Sequence, residues 1–175
     1  MTISCLPGTT IEADLDHPER ALEIFTPLFE VGGLILSQVA GLTGLPAYQV
    51  QNWVKRGFVS HPRNKHYTLR QFSRIVIINA LKDTMQIDKI VSLLAFLDGT
   101  VEDCELYSLF VSISACAVGD GGYDEIALER ELKALPPRYD PDIVPRLQTV
   151  LRVMVMAYSA ARMLRHVERE LVEIV

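Results

Sequence analysis

From about Asp142 to its end the chain reads as one helix of about 32 residues, roughly 48 Å long at 1.5 Å per residue. Leu147, Leu151, Met154, Tyr158 and Ala161 follow the 4-3-4-3 spacing of a coiled-coil seam, and Val150, Val153, Val155, Met156 and Ala157 add apolar surface on other faces. A helix that is apolar nearly all round has to be covered on several sides. Either other helices of the same chain cover it, or a second copy does. A mixture is expected, because a small C-terminal subdomain, in which Pro136-Pro137-Arg138-Tyr139-Asp140-Pro141 is a rigid connector, has few local helices to do the covering. The five seam residues are therefore candidates for a dimer interface, and two-fold dimers are the commonest oligomers.

Upstream, the chain is punctuated into shorter helices. Its 175 residues, 49% of them hydrophobic, suit one sizeable domain or two small ones and exclude a disordered chain. Residues 1–15 show no periodicity and read as an arm. Asp16, Pro18 and Glu19 resemble a helix start, with Leu22, Phe25, Leu28 and Phe29 on one face, Pro27 as a break or kink and Gly32-Gly33 as the end. The division expected is an arm and short helix over 1–33, a DNA-binding-type module over 34–98 and a helical domain over 99–175.

The module begins with two short helices. Ser37 is a candidate N-cap, Val39, Ala40 and Leu42 supply apolar contacts, and Gly44 fits the left-handed position that ends a helix. Pro46 restarts a helix that runs through Arg56 to Gly57. Two such helices joined by a short glycine-containing turn are a helix-turn-helix signature. At 100° per residue, Ala47, Val50, Trp53 and Val54 fall on one side of the second helix, and Tyr48, Gln51, Asn52 and Lys55 on the other. Gln and Asn can pair bidentately with adenine, and Lys or Arg can reach guanine or phosphate. Val59 and Tyr67 are expected to flank a small two-stranded wing with Pro62-Arg63-Asn64-Lys65 at its tip, followed by His66. Thr68 to Gln71 is a capping box that opens an apolar helix to about Lys82. Ile87 to Leu97 gives another amphipathic helix closed by Gly99, and helices are expected over Glu102 to Val118 and Tyr123 to Leu135.

The charge is uneven. A net −5 argues at face value against nucleic acid, yet Val31 to Lys82 contains no Asp or Glu and seven basic residues, Lys55, Arg56, Arg63, Lys65, Arg70, Arg74 and Lys82. This stretch carries +7 and the remainder −12. A concentrated positive face is the footprint of phosphate binding. Lys55, Arg56, Arg63, Lys65 and His66 are the candidate phosphate contacts, and Tyr48, Gln51 and Asn52 the candidate base contacts. About five neutralised phosphates would give log affinity a slope near −4.5 against log salt.

The run from Leu36 to Pro46, the stretch Val50 to Gly57, a short basic wing ending in Tyr67 and a helix pair closing on Met85 to Ile90 resemble the winged helix-turn-helix of mercury-resistance (MerR) type regulators. Over most of residues 28–110 the chain is more closely similar to an uncharacterised bacterial family known only as a domain of unknown function, on Gln51 to Gly57 and Asn64-Lys65. That resemblance implies a mainly α fold with a small β wing, followed by a C-terminal helical bundle with a long dimerisation helix. It implies no established activity. The chain differs from MerR proteins in carrying Gln51, Asn52, Trp53 and Val54 where those have Arg, two aromatics and an acid, and in its shorter wing.

Other chemistry is sparse. His17, His61, His66 and His166 have no metal-ligand spacing with Cys5, Cys104 and Cys116, and no phosphate loop, nucleophile elbow or HExxH occurs. Cys104 and Cys116 read as core residues, and so does Trp53. No cofactor, metal or catalytic residue is expected. The chain lacks a signal-peptide pattern and a membrane-length apolar run, so a cytoplasmic location is expected. The reading is a non-enzymatic, sequence-specific binder of double-stranded DNA, a regulator acting as a homodimer, with an effector of unknown identity. The alternative is an adaptor that uses the same module to bind an acidic protein surface.

Overall fold

The computed structural model describes residues 3–14, 21–30, 32–119 and 122–174. The fold is mainly helical, with a few two- and three-residue strands in antiparallel pairs. The expected helix start at Asp16 to Glu19 lies outside the described residues.

The centre of the core is the helix Leu69–Leu81 (α4 in chain order). Phe72, Ile75, Val76, Ile77, Ile78 and Leu81 are all buried, covering every face of the helix below its first turn. Thr68 starts it as a capping box: the Gln71 N–H donates to Thr68 Oγ1 at 3.3 Å and the Thr68 N–H donates to Gln71 Oε1 at 2.8 Å. Around α4 pack α1 (Ala21–Glu30), α2 (Leu36–Thr43), α5 (Ile87–Ala95), α6 (Asp103–Ala117) and the long α8 (Val144–Ile174); α7 (Glu125–Lys133) lies against α6 and α8. Phe25 of α1 meets Phe72 edge-on at 5.2 Å, and Tyr158 of α8 meets Phe110 of α6 edge-on at 5.5 Å, geometries that suit the aromatic quadrupole. The α1 helix continues through Pro27, with Phe25 buried and Leu28 exposed.

The segment read as an arm contains a hairpin, β1 (Ile3–Cys5) against β2 (Glu12–Asp14). Its turn is docked on the core. Gly8, at φ 74°, approaches α4 so closely that a Cβ there would lie 2.0 Å from the Val76 carbonyl oxygen, which admits only glycine. Asn79 Nδ2 donates to the Gly8 and Thr43 carbonyls, both at 2.9 Å, and the buried Tyr107 hydroxyl donates to the Pro7 carbonyl at 2.8 Å. Periodicity could not announce a three-residue strand held by its turn.

The seam of the last helix is corrected too. Leu147, Leu151, Met154, Tyr158 and Ala161 are buried within the chain itself, so they have almost no surface left for a second copy. A mixture of intrachain and dimer cover was expected; α4, α6 and α7 supply it for these five residues. Beyond Ala161 the helix changes character: Met163, Leu164, Val167, Leu171 and Val172 are exposed. Among the described residues no helix is long and apolar enough to cross a membrane.

Candidate nucleic-acid interface

Helices α2 and α3 (Ala47–Lys55) are joined by Gly44, Leu45 and Pro46. Gly44 takes the left-handed conformation at φ 69°, as the turn requires. Thr43 tightens it: its hydroxyl donates to the Val39 carbonyl at 2.7 Å and accepts the Leu45 N–H at 3.3 Å. The N-cap is Ile35 rather than Ser37. Ile35 has no side-chain acceptor, and Gln38 reaches back instead, its Oε1 accepting the Ile35 N–H at 2.9 Å.

The helical wheel of α3 is largely as expected. Val50, Trp53 and Val54 are buried, which makes Trp53 a core residue; Ala47, expected among them, is exposed at the first turn. Tyr48, Gln51, Asn52 and Lys55 are all exposed, Tyr48 at 66%.

The wing differs from expectation in its partner. Tyr67 pairs with Leu34, and His66 with Ile35, as β4 (His66–Tyr67) on β3 (Leu34–Ile35). Val59 is buried and takes no part in a strand. The reason is Gln71. Its Nε2 donates to the Ser60 and His61 carbonyls at 3.0 and 2.9 Å, so the acceptors that would have begun a second wing strand are engaged by α4. What remains is a tight turn in which the His66 N–H donates to the Arg63 carbonyl at 2.8 Å. Asn64 and Lys65 occupy its centre at φ 48° and 66°. Both central residues are left-handed, the geometry of a type I′ turn, where Asn is common first and Gly second. Lysine at the second place carries a penalty of about 1 kcal/mol or more.

Between α3 and this turn runs a groove of about 880 Å³, floored by Ile35, Leu36, Val54 and Pro62, with Gln51, Lys55 and Lys65 among its walls. The seven cations of the carboxylate-free stretch divide into two groups. Arg56 stacks on Phe58 at 4.5 Å and pairs with Asp88 at 3.5 Å, and Arg70 pairs with Glu102 at 3.1 Å. Arg74 reaches both oxygens of Asp103 at 3.1 Å, and Lys82 pairs with Asp83 at 3.0 Å. Lys55, Arg63 and Lys65 are exposed and have no carboxylate partner among the described residues. His66 is exposed, its Nδ1 at 2.8 Å from the Asn64 carbonyl. Arg56 thus belongs with the neutralised set, a separation that only the fold reveals, because the carboxylates come from residues 83–103. The cysteines also depart from expectation: Cys116 is exposed and Cys104 half-buried, with its thiol pushed up by burial.

No curated protein and no solved structure matches the chain. Residues 33–112, which run from just before β3 into α6 and hold the whole α3 face and the turn, match the family model of a domain of unknown function, DUF1836.

Proposed function

We propose that this protein is a sequence-specific binder of double-stranded DNA and a transcriptional regulator, with α2, α3 and the 63–66 turn acting as a winged helix-turn-helix. The observation that carries the reading is the α3 face: Tyr48, Gln51, Asn52 and Lys55 exposed together, with unpaired Lys65 across the groove. An α-helix fits a major groove about 12 Å wide, and Gln51 and Asn52 offer the amide pair that reads adenine. Lys65 stands on a backbone strained at φ 66°, and strain of this kind is concentrated where position matters. Lys55, Arg63 and Lys65 fasten the module to phosphates and carry no sequence information themselves. With three free cations rather than five, the slope of log affinity against log salt falls to about −2.7 per module. Dimerisation, which would let two modules read two half-sites, uses the exposed end of α8, where Leu164, Val167 and Leu171 keep a 3-4 spacing.

The test is a random-site duplex selection followed by titration at several salt concentrations. A motif should be enriched, and Lys55→Glu with Lys65→Glu should abolish retention while the fold is kept. Enrichment of no duplex, or an affinity indifferent to salt, sinks the reading. The apolar floor of the groove favours a second reading, an adaptor that seats apolar side chains of an acidic protein between the two lysines. In that case the same double variant loses a protein partner and the wild type never retains DNA.

A further inference from the structure

A second cleft, of about 690 Å³, opens on the other side of the turn, between the 57–63 loop, the first turn of α4 and the start of α6. We propose that it binds a small phosphate-bearing molecule through Arg63 and Arg70, without the α3 face or the two lysines that flank the first groove.

Its walls are fixed and its rim is not. Gln71 pins the loop through the Ser60 and His61 carbonyls, and Arg74 pins it again, its Nε donating to the Phe58 carbonyl at 2.8 Å. Arg74 in turn is locked on Asp103, whose side chain is only 10% exposed. Three guanidinium groups, of Arg63, Arg70 and Arg74, line this one cleft. Against them stand two carboxylates: Asp103, held by Arg74 and lying 3.8 Å from Arg70, and Glu102, which pairs with Arg70 at 3.1 Å. Arg63 has none, so the site carries an excess positive charge.

The Arg70–Glu102 pair is the replaceable part. Both side chains are more than half exposed, so exchanging Glu102 for another anion strands no buried charge. Guanidinium forks match phosphate oxygens bidentately and outdo lysine for this purpose. The volume is that of a small-molecule site rather than of a bare ion, so the phosphate is expected on an organic body. Arg63 and Arg70 would grip it, while Arg74 contributes field from a fixed position.

The test is calorimetric titration of the full chain with pyrophosphate. The wild type should bind, and Arg63→Ala with Arg70→Ala should raise the dissociation constant at least tenfold. Arg63→Ala alone, which breaks no ion pair, should give part of that loss. Glu102→Gln, which removes the internal competitor, should tighten binding several-fold. Lys55→Ala with Lys65→Ala should leave it unchanged. Absence of binding at millimolar pyrophosphate overturns the proposal, and so does a loss caused equally by the lysine variant.

Discussion

The two halves of the basic stretch behave differently. In the part that precedes α4, Lys55, Arg63 and Lys65 face solvent unpaired; within α4 and just after it, Arg70, Arg74 and Lys82 are met by acids from later in the chain. Arg56 sits at the boundary, on Asp88 and Phe58. The difference teaches that a run without carboxylates is a property of the sequence, whereas a free positive surface is a property of the fold. The acids of residues 83–103 fold back over one side of the module and leave the other side bare.

The comparison breaks most visibly at Asp103. Asp103→Ala strips the partner from partly buried Arg74, and losing one member of a buried pair costs about 3–5 kcal/mol. Because Arg74 keeps some exposure and its bond to Phe58, the lower end of that range is expected in a urea unfolding titration. Next in size is the bare side. Lys55→Glu with Lys65→Glu should leave the unfolding free energy within about 0.5 kcal/mol, as surface substitutions do, while removing two of the three proposed phosphate contacts. A large drop in stability would mean that these lysines are structural.

A smaller effect separates backbone from charge. Lys65→Gly relieves the left-handed strain and should stabilise the fold by about 0.5–1 kcal/mol. The same change should weaken duplex binding, so stability and affinity move in opposite directions. If both fall, the turn owes its shape to the lysine side chain. Smallest of all is Arg56→Ala, whose exposed pair with Asp88 and stack on Phe58 are worth less than about 1 kcal/mol together. Its effect on duplex binding should be well below that of Lys55→Ala; an equal effect would return Arg56 to the contact surface.

Much of this was legible in the residues. Thr68 and Gln71 specify a helix start wherever they stand before an apolar run, and Gly44 marks a left-handed turn because other residues are strained there. The polar face of α3 followed from helical period alone. What escaped was every feature decided by a distant atom. Ser37 looked like a cap, but the helix starts earlier, with Gln38 reaching back to accept the Ile35 N–H. Val59 looked like a strand, but the amide of Gln71 holds the neighbouring carbonyls. The seam of α8 had the spacing of a coiled coil, and spacing does not say whether the covering helix belongs to the same chain. Its buried half shows how well three local helices can do that work, and its exposed half shows where they stop.

The docking of Gly8 and Pro7 has a consequence for synthesis. The hairpin that ends at Asp14 is held by Asn79 and Tyr107, 71 and 100 residues further along. At a translation rate of about 5–20 residues per second, its final anchor is made roughly 5–20 seconds after the hairpin itself. During that interval two short strands have no core to lie on, so a segment made early is protected late.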